Sequence, residues 1–232
     1  MPKSSLKRYG EHKSIFKDRK SASIELINIL PRDILKANET VVLGVSEGGV
    51  YFANEVAKAL DAKLNLLLTE PIISPHNSEL AIAMVGETQE VVMHKALVHS
   101  FDISKDYIYA QADQRFKEKI IYYINKYRHG KRLDGLNEKY VVLVDECVET
   151  GLTMMTAIKT AISLGAKNVF IAVPILDNVV YANLLKVCDN LFCPHKIDDY
   201  VSVEYYYENL ERFTFEEIDE IMADNERRRN EI

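Results

Sequence analysis

A chain of 232 residues with 47% hydrophobic and 28% charged residues has ordinary globular composition and can bury a core without disulfide or metal staples. Its net charge of −6 argues against broad electrostatic binding to nucleic acid, which needs a basic face to displace counterions, but does not exclude a small phosphorylated ligand. The longest apolar runs, VVLGV and VFIAVPIL, are too short to cross a bilayer, and Cys147, Cys188 and Cys193 form no CxxC pair that would indicate a zinc site or disulfide framework.

The start, MPKSSLKRYGEHK, is basic but leads into no apolar stretch of signal-peptide type, so a cytoplasmic protein is expected. Residues 41–45 (VVLGV), 64–68 (LNLLL), 141–144 (VVLV) and 169–173 (VFIAV) are short apolar runs bounded by turn or charged residues and read as buried parallel strands. Helical patterns lie between them, over 50–60 and over 152–164, the latter stopped by Gly165. This alternation predicts an α/β fold with a doubly wound, mainly parallel sheet. From Ser104 to His129 the rhythm changes: Ile108, Ala112, Phe116, Ile120, Ile124 and Tyr127 recur every three or four residues and predict one long amphipathic helix. Its other faces carry Arg115, Lys117, Lys119, Lys126 and Arg128, which read as a solvated face, or as a lid if the helix folds over a ligand edge. Thr214 and Glu217 have capping-box spacing and should open a final helix over about 214–229. No internal repeat or linker marks a second domain, so one domain over 1–232 is expected.

The strongest local signal is a strand, Tyr140 to Val144, followed at once by Asp145 and Glu146 and then by Glu149-Thr150-Gly151-Leu152-Thr153 opening a helix. In an open parallel sheet, ligands bind beyond the carboxyl ends of the strands. Unpaired N–H groups at a helix start, with the positive end of its dipole, favour a phosphate. Gly151 permits close approach, Thr150 and Thr153 can add hydroxyl donors, and Asp145 and Glu146 can accept from paired ribose hydroxyls or hold Mg²⁺ through water. A plainer reading makes the threonines helix caps and the acids ordinary loop residues. It leaves unexplained why two consecutive acids end an apolar strand just before a Thr-Gly pair.

The segment VVLVDECVETGLT resembles the phosphoribosyl diphosphate (PRPP) signature of type I phosphoribosyltransferases, and the likeness extends to a group of stand-alone bacterial predicted phosphoribosyltransferases. Phe16-Lys17-Asp18-Arg19, the loop before Gly48-Gly49-Val50, the run PHNSELAIAMV over 75–85, Tyr127-Arg128 and Tyr206-Tyr207-Glu208 are similar to features of that group. The resemblance covers most of the chain. It implies that Asp145 and Glu146 bind the ribose hydroxyls, that Thr150, Gly151, Leu152 and Thr153 bind the 5-phosphate, and that Ser46, Glu47, Gly48 and Gly49 stand at the diphosphate-binding loop. It further implies transfer of the 5-phosphoribosyl group of PRPP to or from a nitrogenous base, Mg²⁺ as cofactor, and a helical insertion over about 100–135 near the active site. Glu149 stands where 6-oxopurine phosphoribosyltransferases place an aspartate that meets the base nitrogen, which implies a catalytic proton acceptor; an acid at a helix start is the equal alternative. The chain departs from the group at Glu47 and near Thr69-Glu70, where basic residues are usual.

The expected partner is a small phosphorylated sugar or nucleotide, with no nucleic acid and no membrane, and a homodimer is left open. Because the diphosphate loop has lost positive charge, a non-catalytic or regulatory phosphoribosyl-binding protein is the competing reading. Gly44-Val45-Ser46-Glu47-Gly48 also matches the GxSxG elbow of serine hydrolases, with His195 downstream, a remote alternative through Ser46.

Overall fold

The computed structural model describes residues 14–211 and 213–230; the basic start, residues 1–13, lies outside the described residues. In chain order the elements are α1 (Arg19–Ile29), α2 (Arg32–Lys36), β1 (Thr40–Gly44), α3 (Glu47–Leu60), β2 (Lys63–Leu66), β3 (Thr69–Ser74), β4 (Asn77–Gly86), β5 (Val91–Met93), α4 (Lys95–Ser100), α5 (Lys105–Arg115), a π-helical turn (Phe116–Ile120), α6 (Ile121–Arg128) and β6 (Tyr140–Val144). There follow α7 (Leu152–Ser163), β7 (Asn168–Ala172), β8 (Ile175–Asp177), α8 (Asn178–Leu184), β9 (Asn190–Phe192), β10 (His195–Ile197), a 3₁₀ turn (Val203–Tyr206) and α9 (Phe215–Asn230).

The four apolar runs become the parallel strands β2, β1, β6 and β7, and β9 extends the sheet to the order β2-β1-β6-β7-β9. Side chains alternate across this sheet with period two, which is why both faces must be covered. Val42, Val142, Val144 and Ala172 join the core beneath α1, α3 and α9, while Val41, Leu43, Val141, Leu143 and Ile171 join the core beneath α7. The predicted doubly wound architecture is therefore what the chain adopts. Gly165, at φ +90, ends α7 after the cap residue Leu164, as its position suggests. Thr214 and Glu217 exchange both bonds of the capping box, at 3.2 and 2.7 Å, and α9 docks on β2 through Asn225, whose side-chain amide donates to the Leu64 carbonyl at 2.8 Å.

Between β2 and β6 the chain leaves the parallel rhythm earlier than the sequence suggests. Thr69 to Met93 builds a separate antiparallel sheet in the order β3-β4-β5, bulged near Ile72 to Ser74. The helix expected over 104–129 is present as α5, the π turn and α6, capped by the Ser104 hydroxyl and closed by His129 in the left-handed region. Its apolar stripe packs on the antiparallel sheet, with Ile108, Ala112, Ile120 and Ile124 meeting Ile72, Ile82 and Val85. One basic residue does not belong to a solvated face: Arg128 is 7% exposed and its guanidinium pairs with Glu87 at 2.6 Å.

Candidate functional site

The register of β1 and β6 sets the site. Gly44 lies opposite Val144, and the Val45 N–H donates to the Val144 carbonyl at 3.1 Å, so Ser46 and Asp145 leave the sheet edge side by side. Asp145 and Glu146 are only 7% and 9% exposed. The Ser46 hydroxyl donates to the Asp145 carboxylate, which also accepts the Glu146 N–H at 2.7 Å. Burial pushes the Asp145 carboxyl up to about 7, against the opposing pull of those two hydrogen bonds. Glu146 is held by Arg19, whose Nε donates to it at 2.6 Å; the same guanidinium donates to the Glu211 carbonyl and lies 5.7 Å from the Phe213 ring centroid. Arg19 is placed by Asp18, the N-cap of α1, and by the bridge between Phe16 and Tyr207. The FKDR and YYE segments thus meet in space.

Ser46 to Gly49 is not a free loop. Ser46 caps α3, accepting the Gly49 N–H at 2.9 Å, and Glu47 to Gly49 form the first helical turn. The two glycines are needed for the acid pair: a Cβ at Gly48 would collide with Glu146 Oε2, and one at Gly49 would fall 2.9 Å from the Asp145 Cα. Their bare backbone makes room for the carboxylates, a role that nothing local in the sequence signals.

Beyond the acids, Val148 bridges to Leu176 and the chain turns into α7 through Gly151, at φ +78. That conformation suits glycine, and a Cβ would also press within 3.0 Å of Val180 Cγ1. Among the described residues, no side-chain hydrogen bond is made from the N-cap of α7, which is Gly151. The Thr150 hydroxyl accepts the Leu152 N–H at 3.4 Å, while Leu152 itself is buried against Met84 and Val92, so it offers only backbone to a ligand. Thr153 lines a cleft of about 320 Å³ together with Ser46 and Glu47, whereas Thr150 and Gly151 line a second hollow of about 270 Å³ beside α4 and α8. Glu149 is exposed at the loop surface. Cys147, between the acids and Glu149, has its thiol pushed up to about 12 by burial and remains protonated.

The larger cleft also receives Glu70 from the start of β3 and Tyr123 and Tyr127 from α6. The helix therefore does reach the ligand edge, but with tyrosines. Tyr127 stands in the apolar stripe of the sequence, and only the Tyr127-Arg128 resemblance singles it out from the rest of that stripe. Arg19 is visible only within the FKDR resemblance, since its partner Glu146 is 127 residues away.

The described residues contain no group of three or more His, Cys, Asp or Glu arranged to hold a metal ion. The Asp145 and Glu146 carboxylates already accept from Ser46, an amide and Arg19. A magnesium ion held through water at these two carboxylates would share them with those donors.

Comparison with known proteins identifies the family of the chain. A Mycobacterium tuberculosis protein, curated in two strains and named as a predicted phosphoribosyl transferase, is 30% identical over 212 residues, which is 90% of this chain. The chain spans 46% of the length of those relatives. A solved structure from Thermus thermophilus superposes with a TM-score of 0.73 at 27% identity, covering 90% of this chain and 98% of that one. The family model of the phosphoribosyl transferase domain matches residues 8–209, and the chain belongs to that family.

Proposed function

We propose that the protein transfers a 5-phosphoribosyl group between PRPP and a nitrogenous base, with Asp145 and Glu146 accepting from the ribose hydroxyls and the amides that open α7, through Thr153, receiving the 5-phosphate. The observation that carries this reading is the pair of buried carboxylates at the end of β6, followed by a helix start whose N-cap, Gly151, has no side chain to fill it. In such a transfer the base nitrogen's lone pair forms the new bond to the anomeric carbon, the bond from that carbon to the diphosphate oxygen breaks, and the diphosphate departs with the bonding pair. Glu149 is the group proposed to take the base's proton, and its exposed position at the loop surface leaves it free to do so.

Titration calorimetry with ribose 5-phosphate tests the binding half. Thr150→Ala with Thr153→Ala should weaken binding by about 1 to 3 kcal/mol for each charge-assisted hydrogen bond lost; unchanged affinity would remove the central assignment. Once an acceptor is found, Glu149→Gln should lower turnover about 100-fold while leaving phosphate binding intact, and equal turnover would confine Glu149 to the helix start.

A second reading, a phosphoribosyl-binding protein without turnover, is favoured by Glu47 and Glu70, which put carboxylates into the cleft beside the acid pair. Ligand binding without product formation would select it. The serine hydrolase reading loses its geometry: the Ser46 hydroxyl donates to Asp145 rather than to a histidine, and His195 pairs with Glu25 at 2.7 Å. Among the described residues no helix is long and apolar enough to cross a membrane.

A further inference from the structure

Arg19 stands outside both loops that carry the proposed chemistry, yet one of the two acids is held by it. Each acid is anchored through a single oxygen: Asp145 Oδ1 accepts the Ser46 hydroxyl and the Glu146 N–H, and Glu146 Oε1 accepts Arg19 Nε at 2.6 Å. Among the described residues nothing donates to the other two oxygens, Asp145 Oδ2 and Glu146 Oε2, and neither is one of the sealed polar atoms left without a partner. Each acid therefore keeps one open acceptor. Glu146 Oε2 lies toward Gly48, whose missing Cβ leaves it room. A glutamate side chain has several rotatable bonds, and ordering it costs entropy that a ligand must otherwise supply. Arg19 removes that freedom beforehand, because its own guanidinium is fixed at three points: Nε on Glu146, Nη1 on the Glu211 carbonyl, and Cζ 5.7 Å from the Phe213 ring centroid. The backbone beneath it is tied as well. The Ile15 and Phe16 N–H groups both donate to the Tyr206 carbonyl at 2.9 Å, and the Glu208 and Asn209 N–H groups donate to the Phe16 and Lys17 carbonyls at 2.9 and 3.0 Å.

We propose that Arg19 is a positioning residue: by holding Glu146 Oε1 it sets Oε2 beside Asp145 Oδ2, so that the two open oxygens accept the vicinal hydroxyls of a ribose, one each. The proposal rests on the phosphoribosyl reading and adds that ribose recognition is set by a side chain that need not touch the ligand. A clamp that only joined residues 15–17 to residues 206–209 would not require Glu146, because the backbone bonds already make that join. Arg19 and Glu146 are instead two charged side chains only 14% and 12% exposed, and such a pair carries a desolvation cost that a purely structural link avoids. The planar fork of arginine suits three-point fixing, whereas the single ammonium of lysine does not.

Calorimetry on the full chain with ribose 5-phosphate, 2-deoxyribose 5-phosphate and inorganic phosphate tests the proposal. Arg19→Met, which keeps much of the apolar stem, should weaken ribose 5-phosphate about tenfold, leave inorganic phosphate unchanged and narrow the preference for ribose over deoxyribose. In the Glu146→Gln background the same substitution should cost nothing further, because Arg19 acts through that carboxylate. A merely structural clamp would weaken all three ligands alike, or none. Arg19→Lys, which keeps the charge without the fork, should lose severalfold on ribose 5-phosphate alone and serves as the readout if Arg19→Met fails to fold. Equal ribose 5-phosphate affinity in parent and variants, an equal loss for inorganic phosphate, losses additive with Glu146→Gln, or tighter binding once Arg19 is replaced overturns the proposal while the phosphoribosyl reading stands. If the parent binds ribose 5-phosphate no better than inorganic phosphate, the phosphoribosyl reading fails and the proposal with it.

Discussion

Asp145 shows how a single carboxylate ties the site to the stability of the fold. An unfolded aspartate releases its proton near pH 4, about its ordinary value, whereas in the folded chain burial holds that proton up to about 7. Between these values the native state binds more protons than the unfolded one, so stability falls as pH rises from about 4 to about 7 and then levels off. Asparagine cannot ionise, so the Asp145→Asn variant should lack this decline. Thermal unfolding from pH 5 to pH 8 should therefore shift the melting-temperature difference in the variant's favour up to about pH 7 and little beyond, and a difference independent of pH would show that Asp145 is ionised throughout. The residue type was legible in the sequence, because two acids directly after an apolar strand is an unusual pattern. Its environment was not, since Ser46 lies 99 residues away and the depth of the pocket depends on how α3 packs across it.

At the scale of elements, the same division runs through the helical segment. The stripe from Ile108 to Tyr127 was readable because helix periodicity is local. The antiparallel sheet beneath it was not, because the first part of β4, Asn77 to Glu79, is polar and exposed and reads as a loop, and because bulges break the alternation of β3. Arg128 reads as solvated in the sequence because its partner Glu87 is 41 residues distant. That ion pair ties α6 to the turn after β4, and the Glu87 carboxylate also accepts the Leu68 N–H at 3.0 Å. Removing only the cation leaves a buried, uncompensated carboxylate, so Arg128→Ala should destabilise the protein by about 3 to 5 kcal/mol. Among the described residues, Arg128 Nε and Nη1 have no hydrogen-bond partner even in the parent, so the pair is not fully satisfied. Arg128→Met with Glu87→Leu should recover most of the loss in denaturant titrations, and a double variant as unstable as Arg128→Ala would mean the pair contributes more than compensation of its own desolvation.

Across the whole molecule, the strand order β2-β1-β6 brings three adjacent carboxyl ends to one edge, and each delivers acid there: Glu70 shortly after β2, Glu47 after β1, and Asp145 with Glu146 after β6. Arg19 is already committed to Glu146, and among the described residues Arg115 and Lys119 form no ion pair with Glu70, although each pulls its carboxyl down more strongly than Glu47 pushes it up. A polyanion entering this edge meets a field of its own sign, in a chain whose net charge is −6. In the proposed site a ribose 5-phosphate keeps its phosphate on the start of α7, but a ligand that also carries diphosphate would bring that group toward Glu47. One carboxylate about 4 Å from such a group costs roughly 1 to 4 kcal/mol, depending on the effective dielectric. PRPP should therefore bind more weakly than ribose 5-phosphate when magnesium is withheld, and added magnesium, carried in on the diphosphate, should narrow the gap. Glu47→Arg reverses the sign of the local charge while leaving the α7 loop untouched. It should strengthen metal-free PRPP binding by about 1 to 3 kcal/mol and barely change that of ribose 5-phosphate, as calorimetry with both ligands can measure. Tight metal-free PRPP binding that Glu47→Arg leaves unaltered would show that Glu47 turns away from the ligand. PRPP that stays weak even with magnesium would instead favour the phosphoribosyl-binding protein over the enzyme, because transfer requires the leaving diphosphate to be held more firmly as charge builds on it.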